Sequence, residues 1–127
     1  MLNCLDEYMK LSGDNDYCLH LRRGLDFYVG NFFSEEGIPK YYNNSAYPID
    51  STAAAQSILT LVRFGYNDLA WKVARWMIKN MMDEKGYFYY QKHRLYTNKI
   101  SYMRWSNAWM FCSLSYLIYN VRGNDLV

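Results

Sequence analysis

Two segments of the chain repeat apolar residues every three or four positions, with charged residues between them. This spacing predicts amphipathic helices that bury one face and expose the other. The apolar stripes are Leu21, Leu25, Tyr28 and Phe32 in the first segment and Leu69, Val73, Trp76 and Met77 in the second. We expect Asn67 or Asp68 to cap the second helix, because their side chains accept hydrogen bonds from free helix amides.

Two further segments carry almost no charge. DSTAAAQSILTLV (50–62) has no charged residue after Asp50, and WSNAWMFCSLSYLIYNV (105–121) has none. A helix that is apolar or neutral all round is typical of an inner helix covered on every side. Asp50 or Ser51 is the N-cap candidate for the first helix, and Gly65 ends that helix. The second segment is short for a bilayer and contains serine and asparagine, so we predict no membrane helix.

These elements occur twice in the same order. NFFSEEGIPKYY (31–42) aligns with NMMDEKGYFYYQ (80–91) at an offset of 49 residues, which pairs Gly37 with Gly86. We expect each glycine to adopt the left-handed conformation that stops the preceding helix. The uncharged segments align at an offset of 55, which places the extra length in the loop at 91–102.

The sequence therefore predicts an all-α fold, built as an antiparallel array of helical hairpins with about five helices. Short aromatic extended segments occupy its loops. We expect a single domain over 1–127, with hairpin repeats at 14–65 and 67–122 and a short N-terminal helix at 1–11.

Two stretches carry a family resemblance, GIPKYY…YPIDSTAAAQSILTL and GYFYY…YMRWSNAWMFCSLSYLI. They resemble the hairpin of (α/α) toroids, the six-hairpin glycosidase-like superfamily, and in particular the C-terminal part of toroid proteins encoded among bacterial polysaccharide-biosynthesis genes. N-acylglucosamine 2-epimerases and unsaturated glucuronyl hydrolases share this fold. The resemblance spans residues 14–121 and implies a partial toroid, because a closed one needs about six hairpins. An open array leaves inner surface uncovered, so we expect a homo-oligomer, most simply a dimer.

Composition narrows the class of partner. The chain has fourteen tyrosines, and its residues are 19% aromatic. Tyrosine joins an apolar ring to a polar hydroxyl and suits half-wet clefts and interfaces, but it equally suits an aromatic core. The net charge is +2 with acids and bases mixed, so no basic surface for nucleic acid is predicted.

Neither the spacing of the three cysteines nor any sequence motif indicates a metal site, a redox centre or a cofactor. Cys4, Cys18 and Cys112 fit neither a metal-binding nor a redox spacing. We expect buried, reduced thiols, which favour the cytoplasm. No phosphate-binding loop, dinucleotide fingerprint or metal cluster is evident, so no cofactor and no metal are predicted.

The resemblance implies that the N-termini of the inner helices and the loops before them form a saccharide-binding face. Aromatic rings pack on the C–H faces of sugars, and arginine and asparagine bind hydroxyls or a carboxylate. The residues expected to bind a saccharide are Tyr42, Tyr90, Tyr102, Arg104, Trp105, Asn107 and Trp109.

Catalytic candidates are fewer. Asp50 is the best candidate for a general acid or base, although an N-cap role would fully explain it. Glycoside hydrolysis needs a second carboxylate facing the first, and none is evident. The resemblance to epimerases implies a histidine pair, for which the chain offers only His20 in an outer helix and His93 in a loop.

The pair Arg104-Trp105 has two interpretations. In one, Arg104 binds an anionic sugar while Trp105 and Trp109, one turn apart, form a stacking platform. In the other, Arg104 makes a cation–π contact or a hydrogen bond in a turn while both tryptophans fill the core.

Two functions follow. The first is a carbohydrate-related toroid module of polysaccharide metabolism that is not catalytic as an isolated chain. The second is a non-catalytic helical protein that self-associates, or a truncated gene product. A sugar epimerase or hydrolase assembled across an oligomer is the weakest alternative, and whether the chain is an enzyme stays open.

Overall fold

The computed structural model describes the backbone of residues 1–124 and the side chains of residues 1–120. Its five helices are α1 (Leu2–Ser12), α2 (Cys18–Asn31), α3 (Ser51–Arg63), α4 (Asn67–Met81) and α5 (Ala108–Asn124), and a π-helical turn (Met103–Asn107) leads into α5. Three two-residue strands lie in the loops: β1 (Ile49–Asp50), β2 (Gln91–Lys92) and β3 (Thr97–Asn98).

The helical class is confirmed in its coarse form, but the fold is not purely α-helical. The three strands form a small antiparallel sheet in the order β1-β2-β3, with Asp50 opposite Gln91 and Lys92 opposite Thr97. The aromatic segments expected to be extended do not supply these strands. They take part instead in isolated bridges, namely Phe33–Pro39, Tyr42–Ser45 and Met82–Phe88.

The core forms around α3, which packs against α4 and α5. The amphipathic stripe predicted for α4 is confirmed: Val73 and Met77 are fully buried, while Lys72 and Arg75 are exposed. This inward face meets uncharged side chains, because α3 has no charged residue before Arg63. The fully buried apolar residues of the three helices are Ala54, Ala55, Ile58, Leu61, Ala70, Val73, Ala74, Met77, Met81, Met110 and Leu117.

The prediction that both uncharged helices are covered on every side holds for α3 and is wrong for α5. Within the described part of α5, only Met110, Ser113 and Leu117 are buried. Phe111 is 75% exposed and Tyr119 is 78% exposed. The difference arises because α3 lies between other helices, whereas α5 packs on α3 and α4 and has solvent on its remaining sides.

The two outer helices, α2 and α4, are followed by the same hairpin turn. The amide of Ser34 donates to the carbonyl of Ile38 at 3.1 Å, and the amide of Asp83 donates to the carbonyl of Tyr87 at 2.8 Å. These four residues are related by the 49-residue offset. The two segments therefore share a backbone hydrogen-bond pattern as well as a sequence pattern.

The prediction that the glycines of these turns stop the preceding helices is wrong. Helix α2 ends at Asn31 and α4 ends at Met81, several residues before Gly37 and Gly86. Both glycines have positive φ, 81° and 85°, and their amides donate to the residues three positions earlier at 2.9 Å. Their left-handed conformation closes the hairpin turn instead of the helix.

The predicted helix ends at Asp50 and Gly65 are confirmed, whereas the predicted cap of α4 is wrong. Asp50 caps α3, and Gly65 with φ 82° follows the C-cap of that helix. Tyr66 donates its amide to Leu61 at 2.8 Å, completing the Schellman turn. This turn leads directly into α4, so Tyr66 becomes the N-cap and Asn67 already lies within the helix.

Helix α1 covers one edge of α2 and α3. Asn3 donates to Thr60 at 3.1 Å, and Arg63 pairs with Asp6 at 2.6 Å and with Glu7. Hydrogen bonds from Lys10 and Arg63 lower the pKa of Asp6 below its usual value. Polar contacts therefore hold much of this helix in place.

The cysteines are free and exposed, which corrects the expectation of buried thiols. Cys4 and Cys18 lie on the solvent sides of α1 and α2, and Cys112 lies on the uncovered part of α5. Among the helices of residues 1–124, none combines the length and the apolar character that a bilayer crossing requires.

Candidate functional site

An open cleft of 470 Å³ lies at the N-terminus of α3 and reaches the π-helical turn before α5. Its lining is mostly polar or aromatic, in contrast to the aliphatic core between the helices. The lining residues are Tyr41, Asp50, Thr52, Ala53, Gln56, Tyr90, Gln91 and Trp105.

Strand pairing and the start of α3 bring these distant residues together. The β1–β2 register places Gln91 beside Asp50. Ser51 then anchors the start of α3: its amide donates to the carbonyl of Tyr90 at 3.1 Å and its hydroxyl to that of Tyr89 at 2.5 Å. Because Ser51 is fully buried, these bonds fix the second aromatic segment against the helix N-terminus.

Three aromatic rings form a cluster on one side of the cleft. The ring centroids of Tyr90 and Tyr102 lie 5.0 Å apart, those of Tyr102 and Trp105 lie 5.5 Å apart, and those of Tyr90 and Trp105 lie 6.4 Å apart. Thr52 donates its hydroxyl to the carbonyl of Trp105 at 3.2 Å and so ties the cluster to α3. Burial, and then the nearby charge of Asp50, raise the pKa of Tyr90 above its usual value, so this ring presents a neutral hydroxyl.

Asp50 is the charged group among the described residues that line the cleft, and this residue is only 6% exposed. One carboxylate oxygen accepts from the amide of Ala53 at 2.8 Å, and the other accepts from Nε2 of Gln91 at 2.7 Å. The N-cap role predicted for Asp50 is therefore present. Each oxygen retains acceptor capacity for a further donor, such as a ligand hydroxyl.

His93 lies in the β2–β3 hairpin and is not among the residues that line the cleft. Its ring stacks on that of Tyr96, with centroids 4.4 Å apart and an interplanar angle of 15°. Its amide donates to the carbonyl of Tyr96 at 2.8 Å. These contacts explain His93 as a residue of the hairpin turn.

Arg104 lies beside the cleft and not in it. It lines a neighbouring hollow of 300 Å³ together with Tyr102, Met103 and Trp105. Trp105 lines both hollows and so forms the wall between them. A molecule that spans this wall would contact the aromatic cluster and the guanidinium together.

The two tryptophans do not behave as either interpretation expected. Trp105 is 57% exposed and Trp109 is 40% exposed, so neither fills the core. Trp105 packs with tyrosines of the cleft, whereas Trp109 lines none of its surface.

Two other predicted residues lie near the cleft without lining it. The side-chain oxygen of Asn107 accepts from the amide of Phe88 at 2.7 Å, and its Nδ2 donates to Ser101 at 3.0 Å, so this residue ties the π-helical turn to the aromatic segment. Tyr42 is exposed and packs edge to face on Tyr41, with centroids 4.8 Å apart.

Tyr41, Gln56 and Gln91 are among the residues of the cleft that sequence reasoning missed. Gln56 follows Thr52 by one helical turn, a spacing that places both on the same side of α3. Tyr41 is the first-repeat partner of Tyr90 at the 49-residue offset, so the repeat itself pointed to this ring. Gln91 gave no signal, because its position depends on the pairing of β1 with β2.

Comparison with known proteins leaves the (α/α)-toroid resemblance without independent support. No protein-family model, no curated protein and no solved structure matches this chain.

Proposed function

We propose that the cleft binds a saccharide, and that the chain is a carbohydrate-related module of the (α/α)-toroid type. The observation that carries this proposal is the cluster of Tyr90, Tyr102 and Trp105 beside the hydrogen-bonded pair Asp50 and Gln91. Sugar rings have apolar C–H faces and polar rims. A site for them therefore needs aromatic surface next to groups that accept and donate hydrogen bonds.

The charges around the cleft favour a particular kind of saccharide. Neutral hydroxyl groups suit the cleft, because its polar lining consists of one carboxylate, two side-chain amides and hydroxyls. A sugar carboxylate would be repelled by Asp50 but would suit Arg104 in the neighbouring hollow. We therefore favour a saccharide with a uronic acid or another acidic group at one end.

The proposed activity is binding without turnover. Among the described residues, Asp50 is the only carboxylate that lines the cleft, whereas hydrolysis of a glycosidic bond requires a facing pair. The bacterial setting and the role in polysaccharide metabolism rest on the resemblance alone. Three free thiols fit a reducing compartment, and we propose the cytoplasm.

Calorimetric titration with a panel of uronic acids, N-acetylated sugars and short acidic oligosaccharides tests the proposal. We expect saturable binding to at least one acidic member, and a loss of about tenfold or more in affinity for Trp105→Ala. The loss follows because the substitution removes the aromatic surface shared by the cleft and the hollow.

The matched control is Trp109→Ala, which removes an exposed tryptophan that does not line the cleft and should leave the affinity unchanged. The proposal is wrong if no sugar of the panel binds. It is equally wrong if both tryptophan variants lose affinity to the same extent.

The second candidate function is self-association, favoured by an exposed stripe on α5. Trp109, Cys112, Tyr116 and Tyr119 follow one another at intervals of three, four and three residues, and all are exposed. This is the spacing of a two-helix seam, and none of the four side chains carries a charge. A second copy of the chain fits this stripe, because a two-fold axis brings identical seams together. We propose a homodimer through this seam.

Sedimentation and cross-linking test the dimer. We expect the protein to sediment as a dimer at about 10 µM and Tyr116→Glu to raise the dissociation constant about tenfold or more, because the charge enters the seam. A variant that retains only Cys112 should form a disulfide-linked dimer on mild oxidation. The variant that retains only Cys4, which is also exposed, serves as the control and should not. A wild-type monomer at that concentration contradicts the proposal.

A further inference from the structure

The two hairpin turns differ in what covers them. Around Gly37, helix α4 approaches so closely that an added Cβ would lie 2.6 Å from Cβ of Lys72 and 3.1 Å from the amide nitrogen of Val73. Around Gly86, the equivalent residue of the second turn, no atom lies within 4 Å of an added Cβ among the described residues. The first turn therefore packs directly against a helix. The second turn has the same backbone hydrogen bonds, but no described helix packs against its glycine.

Neighbouring positions show the same contrast. Phe33, four residues before the first glycine, is 8% exposed, whereas Met82, the equivalent residue at the 49-residue offset, is 37% exposed. Met82 and Gly86 form one wall of a groove of 490 Å³ whose other wall is α5. The residues lining this groove are Met82, Gly86, Phe88, Asn107, Phe111, Leu114, Ser115 and Ile118. Among the residues whose side chains the structure describes, the lining of the groove is uncharged and mostly apolar, as is the surface that α4 buries in the first repeat.

The first repeat also shows what kind of helix face packs against such a turn and groove. The inward face of α4 presents alanine at positions 70 and 74 with valine and methionine beside them, and these residues are fully buried. The backbone of α4 approaches the glycine turn at Lys72 and Val73, while the small and apolar residues of the inward face pack in the core with α3. Arg75 and Lys79 lie on the outward face and are exposed, whereas Lys72 lies at the edge of that face, with its Cβ at the glycine turn.

A second copy of this chain does not offer such a helix face. A two-fold axis through the groove would bring groove to groove, and α4 is already seated in its own chain. The equivalent face on α2 lies at Gly24, where an added Cβ would be 3.0 Å from the side chain of Leu2 in α1. Helix α1 therefore occupies the approach that a head-to-tail copy would need.

We infer that the Gly86 groove is a docking site for an amphipathic helix of another polypeptide chain, with small and apolar residues on its inner face and polar residues on its outer face. The site is separate from the saccharide cleft and from the seam on α5. Its partner is recognised by the same contacts that hold α4 against Gly37.

A labelled peptide with the sequence of residues 66–82, which contains α4, is the probe for this site. Added to the intact protein, it should bind saturably below about 100 µM, measured by fluorescence anisotropy, and gain helical circular dichroism on binding. A peptide with Ala74→Glu should bind about tenfold more weakly or worse, because it places a charge on the inner face. A peptide with Lys79→Ala changes only the outer face and should bind as the original does.

Protein variants locate the binding. Phe111→Glu places a charge in the groove at a side chain that is largely exposed, so it should abolish peptide binding without unfolding the protein. Leu95→Glu, at an exposed apolar residue of the β2–β3 hairpin, is the control and should bind normally. The inference is overturned by absence of binding, or by binding that survives Phe111→Glu, which would mean that the peptide displaces α4. It is also overturned if Phe111→Glu converts a dimer to a monomer, since a second copy would then fill the groove.

Discussion

Gly37→Ala is expected to destabilise the folded protein by about 2 kcal/mol more than Gly86→Ala does. Both glycines have φ near 80°, so both substitutions carry a similar backbone strain of about 1 kcal/mol. Only at Gly37 would the new methyl group also collide with the backbone of α4, whose carbonyl carbon at Lys72 lies 2.9 Å from the added Cβ. Relief of that collision requires α4 to move away from the core.

Urea denaturation of the two variants measures this difference. The pair is matched in residue type, turn geometry and position in the repeat, so the difference isolates the contact with α4. Equal losses of stability would mean that α4 does not press on the first turn. They would also remove the basis for treating the second turn as a docking position for a helix.

Asp50→Ala is expected to cost about 2 kcal/mol of unfolding free energy, whereas Asp50→Asn should cost well under half of that. Alanine removes the cap from Ala53 and leaves Nε2 of Gln91, which is partly buried, without its partner. Asparagine keeps an oxygen for the cap, because its side-chain carbonyl accepts from the same amide. Its Nδ2 then faces Gln91 and donates to Oε1 of that residue once the Gln91 amide turns over. Thermal and urea unfolding at neutral pH provide the measurement.

The same two variants separate the roles of Asp50 in the cleft. If Asp50 acts through its hydrogen bonds to α3 and β2, Asp50→Asn retains saccharide binding together with stability. If asparagine is as destabilising as alanine, the charge and not the cap holds the N-terminus of α3. That outcome would contradict the assignment of Asp50 as a simple N-cap.

The helices could be predicted from sequence because their signals are local. The spacing of Val73 and Met77 on α4 fixes one face for the core, and the residues around Gly65 form a turn whose geometry depends on a few neighbours. The environment of α5 could not be predicted in the same way. Absence of charge permits burial on all sides, but the number of neighbouring helices decides whether it happens.

The candidate site shows the same limit. The toroid resemblance implied that Asp50, Tyr90 and Trp105 lie together at the N-termini of the inner helices, and all three line the cleft. Their role as a binding site stays a prediction. Gln91 and His93 are two residues apart in one loop, yet one lines the cleft and the other stacks in a hairpin. That division follows from strand register, which the residues of the loop do not encode by themselves.

The π-helical turn at Met103–Asn107 explains why Trp105, which lies in that turn, and Trp109, which lies in α5, have different surroundings. In a continuous α-helix, residues four apart share a face, and Trp105 and Trp109 would form one surface. The turn holds an extra residue, with the amide of Asn107 bonded to the carbonyl of Tyr102 five positions back. One residue of an α-helix corresponds to a rotation of about 100° about the helix axis. The extra residue therefore rotates the side chains before the turn by about that angle relative to those of α5. Trp105 therefore faces the cleft, while Trp109 lies on the exposed seam of α5. A substitution in the seam can thus change that surface without changing the aromatic surface of the cleft.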